Sequence, residues 1–282
     1  MKEALSSAKD GSAVAWDRTT VERKFDTLVR DNRFTIAVVF PLVGGLILIA
    51  SAEGWLPAPL AFNPLLVVFG VIIMRSPLLS GILPLLYRRA TLGLGLLILY
   101  TYSIEYIGVE TAWPYGAFEY GVSLGPMIGG IPVALPVFFI PLVLNAYILV
   151  LTLIPDRLNQ FGVRLGFTIP LIVLLDVILD PAAVALGFWT YAEGGFFYAV
   201  PLSNYLGWVL SATIAAILVE MSFRVTLLQD RIQSCEYILD DLVSFVILWG
   251  LINTWFGNTI PVVVTLLLGL VLFSIIIVRN PS

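Results

Sequence analysis

LLDVILDPAAVALGFWTYAEGGFFYAVPLSNYLGW, residues Leu174 to Trp208, places two carboxylates inside a run that is otherwise apolar enough to span a membrane. Asp176 and Asp180 are four residues apart, so on a helix they share one face, one turn apart. A charge in hydrocarbon costs several kcal/mol unless it meets a partner or a wet cavity. An acid at that depth is therefore a functional-site hypothesis, and the rest of the chain reads as its scaffold.

The scaffold is membrane-embedded. Hydrophobic residues make up 59% of the chain and charged residues 12%, with a mean hydropathy of +0.98, whereas soluble domains carry about a quarter charged residues. At roughly 20 apolar residues per span, 282 residues accommodate six to eight helices in one all-α polytopic bundle. A single cysteine, Cys235, excludes an internal disulfide and a cysteine metal cluster. The absence of histidine removes the commonest general base and metal ligand. Chemistry is left to carboxylates, tyrosines, amides and water. A net charge of −4, with three lysines against twelve arginines, fits an acidic, salt-adapted proteome.

Residues 1–33 are polar and mixed in charge, without an early apolar core and small-residue cleavage site, and read as a cytoplasmic tail with helix from Thr20. Hydropathy over 34–279 predicts one transmembrane domain of eight spans, seven being possible: 34–52, 60–75, 90–108, 131–154, 165–187, 203–227, 240–256 and 260–278. The second is short, and Ser76–Tyr87 is either its continuation or an interfacial helix. Basic residues near span ends remain in the cytoplasm. The eight-span pattern puts all fifteen Lys and Arg on one side, because the connections 53–59, 109–130, 188–202 and 257–259 contain none. It predicts cytoplasmic termini in a multi-pass protein of the cell membrane.

Two of the connections on the outer side are long and rich in aromatics, glycine and acids: Gly108–Pro132 and Gly187–Asn204. Each follows a span with carboxylates in its outer half, Glu105 in the third and Asp176 and Asp180 in the fifth. They share a loose pattern, Gly-x-x-Thr and then Gly, Phe and Tyr, that hints at duplication. The candidate constellation is Glu105, Glu110, Glu119, Asp176, Asp180 and Glu193, with Trp113, Tyr115, Tyr120, Trp189, Tyr191, Tyr198 and Asn204 around them. Belt anchoring at the interface explains many such aromatics, but not acids at membrane depth. Asp180 before Pro181 fits a cap on a broken helix. Asp176, a turn deeper, has no such role. With no cation on that side, desolvation and mutual repulsion favour their neutral acid forms, as proton donation to a weak base requires.

Elsewhere the acids read as structural. Glu220 is placed to pair with Arg224 at i+4, and Asp240 and Asp241 to start the seventh span. Arg75, Arg88 and Arg89 read as topology determinants, and Asn145, Asn253 and Asn258 as interhelical donors. There is no nucleotide-binding or hydrolase signature, and no nucleic-acid partner is expected. The Asp-x-x-x-Asp spacing echoes the Mg²⁺-diphosphate motifs of intramembrane prenyltransferases. That reading wants basic clamps on the same side, where none stands, so no metal is expected.

The residues Glu105 to Val109, Trp113 to Gly116, Tyr120, Leu124 to Pro126 and Ile131-Pro132, followed by Asp176, Asp180-Pro181, Gly187 to Trp189, Gly194-Gly195, Tyr198, Val200-Pro201, Asn204 and Gly207-Trp208, resemble two signatures of the membrane carotenoid hydratase family. The resemblance covers about residues 90–210, with Ala199 where the family usually has glycine. It implies cofactor-free addition of water across the terminal C=C bonds of an acyclic carotenoid, the archaeal case being bisanhydrobacterioruberin to bacterioruberin. Asp176 or Asp180 is then expected to give the proton and Glu105 or Glu119 to orient water. Glu110, Trp113, Tyr115, Tyr120, Trp189, Tyr191, Tyr198 and Asn204 would line the substrate. The expected partners are the carotenoid, the lipid bilayer and other membrane enzymes of the pathway. A pigment-binding or transport protein, an acid-initiated cyclase and a prenyltransferase are the competing readings.

Overall fold

The computed structural model describes residues 17–279. Its long helices are α2, which joins a π-turn over Thr35–Val39 to Phe40–Ala52, α3 (Pro64–Ile82), α4 (Arg88–Thr111), α5 (Leu135–Leu153), α6 (Phe161–Ala185), α7 (Leu202–Ser222), α9 (Asp240–Trp255) and α10 (Thr259–Arg279). Two shorter helices, α1 (Arg18–Asp31) and α8 (Val225–Ser234), pack against α3. Seven of the long helices have the length and composition to cross a membrane. α9 is the eighth. Its 16 residues span only about 24 Å, short of a hydrocarbon core of about 30 Å, and it is packed among α2, α3, α6 and α10. α5 is central, with every residue from Pro141 to Val150 buried, as expected of a helix apolar all round. On α10, Leu266, Leu267, Leu270 and Phe273 are exposed, an apolar face suited to lipid.

The second span does not stop at Arg75. Asn63 caps α3 by accepting from the Leu65 and Leu66 N–H groups at 3.0 and 3.2 Å, and Pro64 stands in the first turn, where a missing N–H does no harm. The helix then continues through Pro77, whose absent N–H orphans the Ile73 carbonyl. The Ser76 hydroxyl supplies the missing donor at 2.6 Å, so Ser76–Tyr87 begins as a continuation of the span and turns 3₁₀ at Leu83–Leu85.

This continuation moves Arg75 into the bundle and corrects its reading as a topology determinant. It is buried and its Nη1 pairs with Asp241 Oδ1 at 2.6 Å, while Asn145 donates to the other Asp241 oxygen. Asp240 takes a two-pronged contact from Arg33, at 2.8 and 3.1 Å. Both acids are in the first turn of α9 as expected, and both have cations besides the helix dipole. The expected Glu220–Arg224 pair is absent from the described contacts because α7 ends at Ser222 and Phe223 is extended, which destroys the i+4 geometry. Glu220 instead accepts both prongs of Arg164 from α6 and a bond from Tyr147. Asn253 donates to the Ile178 carbonyl of α6 at 2.8 Å, the interhelical role anticipated for it, whereas Asn258, in the connection before α10, donates to Asn253 at 2.9 Å only five residues back.

Of the polar segment 1–33, the part from Asp17 onward is described; residues 1–16 lie outside the described residues. Helix begins at Arg18 and is docked, not free: Asp26 accepts from Arg231 at 3.1 Å and from the buried Tyr237 hydroxyl, which also meets Ser80 at 2.9 Å.

Candidate active site

The two long aromatic loops meet. Phe118–Tyr120 (β1) pairs antiparallel with Trp189–Tyr191 (β4), Phe118 opposite Tyr191, Glu119 opposite Thr190 and Tyr120 opposite Trp189. Directly opposed residues share a sheet face and neighbours alternate. Phe118, Tyr120, Trp189 and Tyr191 therefore turn one way, into a cavity, while Glu119 and Thr190 turn outward and are exposed. A second small hairpin joins Met127–Ile128 (β2) to Ile131–Pro132 (β3). Its two-residue turn, Gly129-Gly130, has φ of 58° and 78°, which glycine adopts without strain. The suggested repeat between the loops has no counterpart in the fold: Phe118 and Tyr120 lie in a strand, whereas Phe196 to Tyr198 form a turn.

Beneath this lid lies a cavity of ≈ 120 Å³. Glu105 from α4, Asp180 from α6 and Asn204 from α7 are on its walls. The Asn204 amide donates to Asp180 Oδ2 at 2.6 Å and to Asp176 Oδ2 at 3.0 Å. Tyr191 donates to Asp180 Oδ2 at 2.9 Å, and Tyr120 donates to Glu105. Burial first, and then the neighbouring carboxyl groups, push both phenols above their ordinary range, so they serve as donors throughout the physiological pH range. Among the described residues no ion pair reaches Glu105, Asp176 or Asp180. The ion pairs among the described residues lie instead at Glu22, Asp26, Glu220, Glu236, Asp240 and Asp241.

The helix runs unbroken through Pro181 to Ala185. Asp180 is bonded to Tyr191 and Asn204 instead of freed backbone N–H groups, which disposes of the broken-helix cap. Asp176 is fully buried behind Asp180 and does not line the cavity; its Oδ1 has no partner. An amide joins the two aspartates where the diphosphate-binding reading would want a cation.

Of the residues singled out in the sequence, the cavity brings together Glu105, Tyr115, Tyr120, Asp180, Trp189, Tyr191 and Asn204. It does not include Glu110, Trp113 or Glu119, all exposed, nor Tyr198, whose hydroxyl accepts from the Ile260 N–H at the start of α10, at 3.1 Å. Glu119 faces outward because the alternation of β1 gives the inner face to its two aromatic neighbours.

Tyr115 is held from two sides. Its hydroxyl meets Ser211 at 2.6 Å, and its ring lies on α7 where Gly207 leaves room. A Cβ at 207 would stand 2.6 Å from the ring and 3.0 Å from the Pro114 carbonyl oxygen. Gly207→Ala is therefore expected to displace the Tyr115 loop and destabilise the protein by about 1–3 kcal/mol, as overpacking does. A thermal midpoint in detergent equal to that of the parent would refute the close approach.

Residues 62–272 match the family described as carotenoid biosynthesis protein. The chain belongs to that family. Bisanhydrobacterioruberin hydratase of Haloarcula japonica is 53% identical over 270 residues, 94% of this chain and 92% of that protein. No solved structure matches the chain.

The family match reaches beyond the two signatures into α3, α9 and α10, and the cavity explains part of the reach. Trp249 of α9 lines it, although the last helices carry no signature. On α5, Leu135, Phe138, Phe139 and Leu142 line the cavity at i, i+3, i+4 and i+7, one stripe of a helix. In an apolar span such a stripe is invisible, since every face is apolar and none declares itself. Trp208, the last residue of the opening stretch, stacks on Phe139 with centroids 5.3 Å apart and planes 17° apart. Ala199, where the resemblance leads one to expect glycine, has φ of 63°, a conformation that favours glycine.

Proposed function

We propose that this protein is a carotenoid hydratase that adds water to the terminal C=C bonds of an acyclic carotenoid, bisanhydrobacterioruberin, to give bacterioruberin. The observation that carries the reading is that two acids without a cation, Asp180 and Glu105, face one aromatic cavity. The relative's name supports the substrate.

Two buried carboxyls joined by one amide, with no ion-pair partner among the described residues, hold at least one proton between them. Asp180 gives its proton to the less substituted alkene carbon, leaving a tertiary cation. The faces of Trp208, Trp249 and Trp189 stabilise that cation as rings stabilise other cations. Water attacks the tertiary carbon and its surplus proton passes to Glu105, which Tyr120 holds in place. A proton returned from Glu105 to the acid pair through water closes the cycle. The sum is alkene plus water to tertiary alcohol; no electrons are exchanged, and no cofactor or metal enters.

The α5 stripe guides the apolar end of the polyene to the acids. With the basic clusters facing the cytoplasm, together with both termini and the 1–33 segment, the cavity occupies the outer half of the cell membrane. A substrate with two equivalent ends then enters twice, reversing between visits. Membrane enzymes that make the polyene are the natural donors of so insoluble a substrate.

Purified protein given the anhydro-carotenoid in water enriched in heavy oxygen is expected to place one labelled hydroxyl at each processed end, read by mass. Unchanged pigment would leave only a binding or transport role, and a product of unchanged mass would indicate cyclisation.

A further inference from the structure

The two aspartates have unequal surroundings. Asp180 Oδ2 accepts two hydrogen bonds, from Asn204 at 2.6 Å and Tyr191 at 2.9 Å. Asp176 Oδ2 accepts one longer bond, 3.0 Å, and Oδ1 accepts none. A hydrogen bond to an ionised acceptor is stronger than one to a neutral acceptor, so the additional donor favours the anion on Asp180. Asp176 is left as the better place for a proton. It is also the member that cannot touch substrate, being fully buried behind the cavity wall.

We propose that the pair divides its work: Asp176 stores the proton between turnovers, and Asp180 receives it and carries it to the alkene. This rests on the hydratase reading for the final transfer alone. During the cycle the O–H bond of Asp176 breaks as that of Asp180 forms. The Asp180 O–H bond then breaks as the new C–H bond forms, and the proton returned from Glu105 restores Asp176. Asp176 is thus a positioning and storage residue, acting through Asp180.

The test is infrared spectroscopy of the full-length protein with isotopically labelled aspartate, which follows the stretch of the protonated carboxyl. The band should be present in the parent, persist in Asp180→Asn, disappear in Asp176→Asn and move in Tyr191→Phe, which removes the donor that favours the anion on Asp180. Persistence in Asp176→Asn, loss in Asp180→Asn, or no movement in Tyr191→Phe would overturn the division. The Tyr191→Phe and parent spectra decide the matter even if Asp176→Asn does not fold. In turnover, Asp176→Asn is expected to lower kcat about 100-fold with KM unchanged, since it meets no substrate; a changed KM with intact kcat would count against storage. If the parent incorporates no labelled water, the hydratase reading fails while the infrared assignment stands.

Discussion

Asp180→Asn is expected to abolish hydration, lowering the rate by about 10³-fold, or roughly 4 kcal/mol of transition-state stabilisation, the scale of a lost general acid. The substitution keeps the shape of the side chain and leaves an oxygen to accept from Asn204 and Tyr191, which now reach it at 2.6 and 2.9 Å. It removes the transferable proton. The protein should insert normally and still bind the polyene, because the aromatic wall of the cavity is untouched. Pigment extracted from cells that depend on this chain should stay anhydro at both ends. Glu119→Gln provides the contrast: its side chain points away from the cavity across the β1–β4 pair, so hydration should continue near the parental rate. Full hydration by Asp180→Asn would remove Asp180 from the mechanism, and loss of activity in Glu119→Gln would mean that the lid closes differently around substrate.

The second large effect concerns folding. Arg75→Leu leaves Asp241 buried with Asn145 as its remaining hydrogen-bond partner among those described. Breaking a buried pair from one side typically costs about 3–5 kcal/mol, because an uncompensated charge remains. We expect a markedly lower thermal midpoint in detergent and poor yield, although Arg75 does not line the cavity. Arg75→Leu combined with Asp241→Leu should recover much of the loss, since replacing both charges by apolar groups is often neutral. A single variant as stable as the parent, or a double variant no better than the single, would show that the pair does not hold α3 to α9.

The helical membrane class was legible without any tertiary information. Sustained apolar runs must satisfy their own backbone groups in lipid, and helices do so locally; the ends of α2, α4 and α10 fall close to where hydropathy puts them, whereas α7 stops at Ser222, short of the expected 227. Local chemistry also misled where a partner was distant. Arg75 reads as a topology determinant at the end of a short span, yet the helix continues past it through Pro77 with Ser76 supplying the missing donor, and its ion pair comes from a helix 166 residues away in sequence. Glu220 was matched to its sequence neighbour Arg224, while the actual partner, Arg164, is on the adjacent helix.

The opening stretch divides in the same way. Its sequence alone determined that Asp176 and Asp180 share a helix face, that no nearby cation in the chain neutralises them, and that aromatic segments follow, because these depend on helical period and composition. Only the tertiary structure decided that Asp180 meets the cavity while Asp176 backs it, that Asn204 joins them, and that Tyr120 and Tyr191 turn inward as Glu119 turns out. Strand register and helix packing fix those directions. Both arise from contacts between segments far apart in the chain, and no local pattern encodes them.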